Sequence, residues 1–166
     1  MMPDEYLALP EEKPYLEYVD GMVLQKPMPN NEHAELVVRL GYLITVWIAS
    51  HGGRVGTEAR SKLGELPNYR LPDLSFWRAG IPRSHEGPAT LAVEVRSRDQ
   101  TRAELRRKCE FMRASGVEAC WLIDPISREA WLYEGDKAGM PTATLYAACM
   151  PGFELPLGEL FAVLDE

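Results

Sequence analysis

The sequence predicts a single α/β domain, residues 1–166, in which a mixed β-sheet is flanked by helices on both faces. The first observation is a βαβ pattern. The apolar segments "LAVEV" and "EACWLID" enclose a helix-like segment, and the two strands of such a unit run parallel. The second is that the other strand-like segments are short and separated by turns, as in an antiparallel meander. A length of 166 residues suits one domain with a substantial core, and no linker divides it.

The first quarter of the chain predicts a hairpin and a long helix. Two short strands, Tyr15–Val19 and Met22–Gln25, lie on either side of "DG", which is a strong turn signal. Asn30 or Asn31 can cap a helix that runs to about Ser50 and ends at "HGG". Its apolar stripe has helical spacing and consists of Leu36, Leu40, Leu43 and Trp47.

Strand-like segments and one further helix follow. "RVGTEA", "SKLG" and "YRLPDLSFW" predict strands, and "RAGIPRSHEGP" predicts a surface loop before the strand Leu91–Val95. Thr101 and Glu104 form a capping box at the start of the next helix, which Gly116 terminates. "EACWLID" predicts a strand buried on both faces, with Asp124 ending it before a proline. "EAWLYE" and "ATLYA" predict antiparallel additions, and "PGFELPLGELF" predicts a closing helical turn.

Several classes of protein are disfavoured by the composition. The N-terminal segment lacks the basic start and the apolar run of a secretory signal. The longest apolar region, residues 36–50, is interrupted by polar and small residues and makes a poor membrane span. The three cysteines have no CxxC spacing, which disfavours a disulfide framework and a structural zinc site. We therefore expect a protein of the reducing cytoplasm without a membrane partner.

The charge distribution leaves two interpretations open. The net charge of −7 disfavours long-range attraction to phosphate. Residues 96–113 nevertheless hold seven basic and three acidic side chains, a local net charge of +4. This segment is either a solvated helix face or a phosphate-binding surface.

Asp73 and Glu94 are the first candidate site residues. Asp73 follows a proline at the start of one predicted strand, and Glu94 lies in the middle of the next. Burying an unpaired carboxylate costs several kcal/mol, so Glu94 requires a cation, a metal or hydrogen bonds. Side chains alternate along a strand, so Arg96 shares the face of Glu94 and could pair with it. The alternative is a hard divalent cation bound by Asp73 and Glu94.

Lys108 lies on the inner margin of its predicted helix. At about 100° per residue, it falls about 60° from Leu105, which with Met112 defines the buried stripe. Its ammonium can reach towards Glu94, or it can extend from the helix flank to water. Arg102, Arg106 and Arg113 fall together on the opposite flank.

Several segments occur in the order and spacing of a known family. They are "YLEYVDGMV", a helix opening with His33, "LPD" at Leu71–Asp73, "AVEVRS", "RRK" ending at Lys108, "SGVEACWLIDP" and "PGFELPLGELF". Together they resemble, over nearly the whole chain, a bacterial family of restriction endonuclease-like proteins, formerly a domain of unknown function. That family is a branch of the PD-(D/E)XK nuclease superfamily. The resemblance implies a restriction endonuclease-like fold and an endonuclease that hydrolyses DNA.

The resemblance also implies a metal site and a shifted lysine. Asp73 and Glu94 would bind Mg²⁺, with Mn²⁺ as an alternative and the Val95 carbonyl as a further ligand. The usual lysine position holds Arg96, which cannot act as a base but can hold a phosphate oxygen. In this family the lysine moves to the following helix, which assigns the catalytic ammonium to Lys108.

The resemblance extends to two positions in the first quarter of the chain. Glu17 and His33 match early family positions and are accessory candidates that could instead cap, pair or pack. Arg98, Arg102 and Arg106 are candidates for contacts with DNA phosphates. The oligomeric state stays open, with a homodimer as one arrangement. The rival hypothesis is a catalytically weak nucleic-acid-binding or protein-interaction module on the same fold, which Arg96 and the acidic net charge favour.

Overall fold

The computed structural model describes residues 1–166. It contains four α-helices and a closing 3-10 helix, which are α1 (Pro3–Leu7), α2 (Asn31–His51), α3 (Arg102–Ala114), α4 (Leu157–Phe161) and Ala162–Asp165. None of these helices has the length and apolar character needed to cross a membrane.

Twelve strands form three sheets. They are β1 (Leu16–Val19), β2 (Met22–Gln25), β3 (Arg54–Thr57), β4 (Ser61–Leu63), β5 (Asn68–Arg70), β6 (Leu74–Trp77), β7 (Leu91–Val95), β8 (Ala119–Asp124), β9 (Glu129–Glu134), β10 (Lys137–Thr142), β11 (Thr144–Leu145) and β12 (Leu155–Pro156). The main sheet has six strands in the order β10-β9-β8-β7-β6-β3. Its only parallel pair is β7 and β8, so the sheet is mixed, as predicted.

The predicted βαβ unit is present. Thr101 caps α3, because its side-chain oxygen accepts a hydrogen bond from the backbone nitrogen of Glu104 at 3.1 Å. Gly116 follows the helix with φ of +107°, a conformation that favours glycine. β8 then pairs with β7 in parallel, with Glu94 opposite Leu122.

Helices cover both faces of the main sheet. Leu91, Val93 and Val95 pack in the larger apolar cluster, which also contains the buried stripe of α2. Ala92 points the other way and packs in a cluster with three α3 residues, Leu105, Cys109 and Met112. Because side chains alternate along β7, Glu94 lies on the same face as Ala92, under α3.

The hairpin and part of a predicted strand belong to a separate sheet. β1 and β2 pair as predicted, but they join β5 and β4 in a four-stranded sheet of order β2-β1-β5-β4. The segment "YRLPDLSFW", which predicts one strand, contributes to two strands in different sheets, β5 and β6. The interruption contains Pro72, which cannot donate a ladder hydrogen bond.

Three further elements differ from the sequence prediction. The sequence did not indicate α1 or β10, and β11 pairs with β12 instead of joining the main sheet. β10 contains Gly139 and Pro141, both unfavourable in strands. It is an edge strand with a register shift between Ala138 and Met140, so its sequence lacks a strand's regular alternation.

Candidate functional site

Asp73 and Glu94 face each other across two neighbouring strands. β6 and β7 are antiparallel with Leu74 opposite Val93, so the residue before Leu74 lies beside the residue after Val93. Both carboxylates are buried, with exposed fractions of 4% and 1%. The backbone nitrogen of Val95 donates a hydrogen bond to Asp73 Oδ2 at 2.8 Å, which fixes the Asp73 side chain against β7.

Asp73 is surrounded by cationic and hydrogen-bonding groups. Lys26 Nζ lies 3.0 Å from Asp73 Oδ1, and His33 Nε2 lies 3.1 Å from Oδ2. Burial alone would raise the pKa of Asp73, but Lys26 and His33 outweigh it and hold the pKa well below its usual value. Asp73 is therefore an anion at neutral pH.

Glu94 has a contrasting environment. Its Oε1 atom lies 2.5 Å from Lys108 Nζ, yet this oxygen is buried without a hydrogen bond of acceptable geometry. Burial and the neighbouring Asp73 anion raise the pKa of Glu94 to about 8, although Lys108 and Lys26 oppose the shift. Two adjacent carboxylates thus have pKa values displaced in opposite directions, a pattern typical of functional sites.

Lys108 connects Glu94 to a third carboxylate. Its Nζ atom lies 2.9 Å from Glu17 Oε2 and donates a hydrogen bond to the Leu71 carbonyl at 3.1 Å. Burial disfavours its charge, but the carboxylates of Glu17 and Glu94 outweigh burial and raise the pKa of Lys108. Of the two placements left open by the helical periodicity, the structure has the inward one.

Glu17 is held rigidly beside Lys108. Its Oε2 atom accepts a hydrogen bond from the Leu71 backbone nitrogen at 2.7 Å, and Oε1 lies 3.2 Å from Arg70 Nη2. Burial opposes ionisation, but Lys108 and Arg70 lower the pKa of Glu17 to about 2. The structure thus brings five sequence candidates into one buried cluster, which consists of Glu17, His33, Asp73, Glu94 and Lys108.

Two residues of this cluster, Lys26 and Glu58, were not indicated by the sequence. Lys26 Nζ contacts three oxygens, at 2.7 Å from Glu58 Oε2, 2.7 Å from the Leu71 carbonyl and 3.0 Å from Asp73 Oδ1. Glu58 has a positive φ of 53° and a pKa raised by burial. Lys26 follows β2 in the loop "KPMPNN" and Glu58 follows β3, and neither position carries a local signal that separates it from an ordinary surface charge.

Arg96 does not pair with Glu94, so the structure does not have the ion pair that the sequence left open as one alternative. Its Nη1 atom lies 3.0 Å from Asp124 Oδ2, and its Nε donates to the Gln100 carbonyl at 2.8 Å. The Arg96 backbone nitrogen still donates to the Ile123 carbonyl of β8 at 2.9 Å, and the Arg96 guanidinium extends past the end of the strand to the buried Asp124. Glu94 instead receives its cation from α3.

Asp124 organises the loop at the end of β8. It is fully buried and accepts hydrogen bonds at Oδ1 from the backbone nitrogens of Ile126 and Ser127. Its Oδ2 atom lies 3.0 Å from Arg96 and 3.1 Å from Arg102 Nε. Asp124 therefore anchors two of the candidate phosphate-binding arginines, in addition to ending its strand.

The predicted arginine surface is divided. Arg98 is mostly exposed and pairs with Glu32 at 2.9 Å. Arg102 contacts Asp124 and Glu129, whereas Arg106 is exposed and makes no ion pair or hydrogen bond with the protein. Arg113 donates hydrogen bonds to the backbone carbonyls of Val117, Glu118 and Gly135. It therefore connects α3 to the neighbouring loops and does not face solvent with Arg102 and Arg106.

A cavity of about 170 Å³ opens beside Asp73. Its charged and polar lining comes from Lys13, Lys26, His33, Glu58, Asp73, Ser97 and Gln100. Glu94 and Lys108 do not line it and lie behind it in the protein interior. Solvent therefore approaches the cluster from the side of Asp73 and Lys26.

The cluster is not a ready-made metal site. No group of three or more His, Cys, Asp or Glu side chains is arranged to hold a metal ion. The two lysine ammonium groups lie against the carboxylates instead, Lys26 against Asp73 and Lys108 against Glu94. Val95 contacts Asp73 through its amide, and the metal-binding role of its carbonyl stays a prediction.

The chain matches one family model, and one solved structure has a closely similar fold. A family model described as "Uma2: Putative restriction endonuclease" matches residues 3–158. A solved structure, "a putative nuclease belonging to DUF820 from Anabaena variabilis ATCC 29413", has 24% sequence identity and a TM-score of 0.88, with 99% of each chain covered. This likeness confirms the predicted α/β fold.

A second solved structure is more distant. It is the DrdV–DNA complex, with 17% identity and a TM-score of 0.44, covering 77% of this chain and 10% of that one. That similarity is too low to carry an argument. No curated protein matches the sequence.

Proposed function

The chain belongs to the Uma2 family, and on this premise we propose that it is a metal-dependent endonuclease that hydrolyses DNA phosphodiester bonds. The observation that carries the proposal is the pair Asp73 and Glu94, buried side by side on antiparallel strands with the Lys108 ammonium 2.5 Å from Glu94. Two acidic groups can hold a metal ion and an ammonium can stabilise developing negative charge, so this arrangement suits metal-assisted phosphodiester hydrolysis.

The donor atoms fit a hard divalent cation. Asp73 and Glu94 offer carboxylate oxygens, which Mg²⁺ and Mn²⁺ prefer. Both carboxylates already lie against a cation, since Glu94 Oε1 is 2.5 Å from the Lys108 ammonium and Asp73 Oδ1 is 3.0 Å from the Lys26 ammonium, so each position favours positive charge. Mg²⁺ would be held by Asp73 and Glu94, with the Val95 carbonyl as a further oxygen donor, and Mn²⁺ is the alternative. When bound, such an ion polarises the phosphate and lowers the pKa of water.

Lys108 is the proposed catalytic ammonium. The Glu17 carboxylate, which stays ionised, is the main group that raises the pKa of Lys108 and keeps it protonated at neutral pH. A buried ammonium stabilises the negative charge that develops on the phosphate in the transition state, because the low-dielectric interior strengthens the interaction. Glu17 positions this ammonium through its 2.9 Å contact and does not itself need to touch the substrate.

His33 and Lys26 have proposed supporting roles on the open side of the cluster. His33 Nε2 contacts Asp73 Oδ2 and orients that carboxylate. Lys26 lies on the wall of the cavity and donates its three ammonium hydrogens to Glu58, Asp73 and the Leu71 carbonyl, so it supports the position of Asp73 and adds positive charge to the open side. Arg96 is assigned no direct step, because its guanidinium is bound to Asp124 and to the Gln100 carbonyl.

DNA is the proposed partner. Arg98, Arg102 and Arg106 are exposed on or before the first half of α3, where they can contact backbone phosphates. Such contacts position a duplex without reading its sequence. Arg113, which also belongs to the basic segment, is excluded from this set because backbone carbonyls occupy its guanidinium.

A specific observation also supports the rival function, a catalytically weak nucleic-acid-binding or protein-interaction module. Lys26 and Lys108 already neutralise the two candidate metal ligands. A chain that never binds a metal could retain this ion-pair cluster for stability alone. In that case DNA binding would persist while cleavage and metal binding would both be absent.

Cleavage of supercoiled plasmid DNA separates the two functions. The purified protein should nick or linearise plasmid with Mg²⁺ or Mn²⁺ and not with EDTA. Asp73→Asn and Glu94→Gln should each abolish cleavage, whereas Glu65→Gln, which neutralises an exposed acid elsewhere, should retain it. DNA binding without any metal-dependent cleavage by the folded protein would favour the rival.

A further inference from the structure

A second groove lies on the outer side of α3. Its volume is about 280 Å³, and its lining consists of Arg102, Arg106, Leu122, Trp131, Tyr133, Ala138 and Gly139. The residues come from α3, β8, β9 and β10, and none belongs to the acidic cluster around Asp73. The groove combines two guanidinium groups with two aromatic side chains.

α3 separates this groove from the acidic cluster. Glu94, Leu122 and Trp131 are in register on β7, β8 and β9, so their side chains lie in one row across the sheet. Neighbouring strands are about 4.8 Å apart, which places Trp131 about 10 Å from Glu94. α3 packs over these three strands, with Lys108 turned to Glu94 and Arg102 turned to Trp131. The two sites therefore occupy opposite flanks of one helix.

Two hydrogen-bond donors in the groove have no protein partner. Arg106 is exposed and unpaired, and the Tyr133 hydroxyl makes no hydrogen bond although only 3% of the Tyr133 side chain is exposed. Tyr133 as a residue is thus almost buried, while its hydroxyl is not among the buried polar atoms and can donate to a ligand in the groove.

Gly139 keeps the Tyr133 hydroxyl uncovered. A Cβ atom at position 139 would lie 3.1 Å from that hydroxyl, closer than ordinary van der Waals contact. Gly139 has φ of +81° and lies in the irregular register between Ala138 and Met140. The bulge and the missing side chain together leave the phenol accessible from the groove.

Arg102 is held in place at the other end of the groove. Its guanidinium lies 5.0 Å from the Trp131 ring centre, and its Nε contacts the buried Asp124 at 3.1 Å. Glu129 lies 3.6 Å from Arg102 Nη2 and reduces its net charge. Arg106 is thus the free cation of the groove, and Arg102 and Trp131 form a fixed wall.

We propose that this groove binds a phosphate group of a nucleic-acid strand. Arg106 and the Tyr133 hydroxyl donate hydrogen bonds to the phosphate oxygens, and Trp131 and Leu122 contact the adjoining sugar or base. Phosphate oxygens accept hydrogen bonds, and both the guanidinium and the phenol can donate to them. The apolar wall favours a phosphate ester over an inorganic ion, because an ester carries a sugar or base that can pack against it. The choice of a strand rests on the proposed function, whereas a phosphate ester follows from the groove itself.

The experiment measures binding of a fluorescein-labelled strand of about 12 nucleotides by fluorescence anisotropy, in EDTA and in the Asp73→Asn background. These conditions remove cleavage, so failure of the nuclease proposal does not affect the result. Arg106→Gln should weaken binding about 10-fold and Tyr133→Phe about fivefold, the effects of losing one charged and one neutral hydrogen bond. The slope of log K against log salt should fall by about 0.7 in Arg106→Gln and stay constant in Tyr133→Phe.

Arg107→Gln is the matched control, because Arg107 is exposed on the same helix and does not line the groove. Equal weakening by Arg106→Gln and Arg107→Gln would overturn the proposal, since only overall charge would then matter. Unchanged binding in Tyr133→Phe, with the variant folded by circular dichroism, would also overturn it. Arg106-dependent binding of adenosine monophosphate, measured by isothermal titration calorimetry, with no binding of the strand would overturn the strand as the ligand and leave a free nucleotide.

Discussion

The ammonium nitrogen of Lys108 lies 2.5 Å from Glu94 Oε1, and both side chains are almost completely buried. The two residues come from consecutive elements, α3 and β7, and they meet because α3 packs over the face of β7 that carries Glu94. The contact supplies Glu94 with the cation that its burial requires. It also provides the ammonium on which the proposed mechanism depends.

A divalent cation should stabilise the protein through Asp73 and Glu94. A ligand that binds only the native state raises the melting temperature with concentration. Addition of Mg²⁺ or Mn²⁺ should therefore raise the melting temperature, measured by differential scanning calorimetry. The double variant Asp73→Asn, Glu94→Gln should lose the shift, and a shift of unchanged size would locate the metal elsewhere.

Glu94 should make the metal-free protein sensitive to alkaline pH. Its pKa in the folded state is about 8, against a usual value of 4.5, so the folded state retains a proton that the unfolded state has lost. The stability associated with this proton declines as pH rises from 4.5 and is lost above about 8. Glu94→Gln has no titrating group at this position. In EDTA, the melting temperature of wild type should therefore fall relative to that of Glu94→Gln as the pH rises from 6 to 9. A constant difference would contradict the assigned protonation.

Glu17 should contribute to stability in the opposite pH range. Its pKa of about 2 lies below the usual 4.5, so its contribution is present above 4.5 and is lost as pH falls towards 2. Urea unfolding should show wild type more stable than Glu17→Gln at pH 6, on the order of 3 kcal/mol. The difference should shrink at pH 3, and the exposed-site variant Glu65→Gln should show no comparable trend. If wild type and Glu17→Gln differed in unfolding free energy by the same amount at pH 6 and pH 3, the Glu17 ion pair would not contribute to stability as described.

The arginines should differ in their effect on DNA binding. Replacing Arg98, Arg102 and Arg106 together with Gln should weaken duplex binding for all sequences and reduce the salt slope by about 0.9 per phosphate contact. Arg113→Gln is the comparison, because its guanidinium is bound to backbone carbonyls and should affect stability more than the salt slope. If the salt dependence of DNA binding were unaltered in the triple variant, these arginines would belong to a solvated helix face and would not contact phosphates.

Much of the site followed from local sequence patterns. The capping residues delimit α3, and helical periodicity then places Lys108 on its inner margin. The apolar pattern of β7 identifies Glu94 as a buried carboxylate in need of a partner. These inferences succeeded because each depends on a few neighbouring residues within one element.

The rest depended on contacts between distant segments. Lys26 is 47 residues from Asp73 in sequence, and its loop has no periodicity that would orient the side chain. Arg96 pairs with Asp124, which is 28 residues away in the sequence, so local alternation along β7 could not identify its partner. The separate sheet of β1, β2, β4 and β5 was also missed, since short strands do not encode which sheet they join.

The most direct test of the central claim is the rate of metal-dependent plasmid cleavage by Lys108 variants. Lys108→Ala should reduce the rate about 100-fold or more, the scale of losing one transition-state donor. Lys108→Arg should restore little of it, because a planar guanidinium does not replace a compact ammonium between Glu17 and Glu94. Circular dichroism should verify that both variants are folded. A folded Lys108→Ala protein that cleaves plasmid at the wild-type rate would contradict the mechanism.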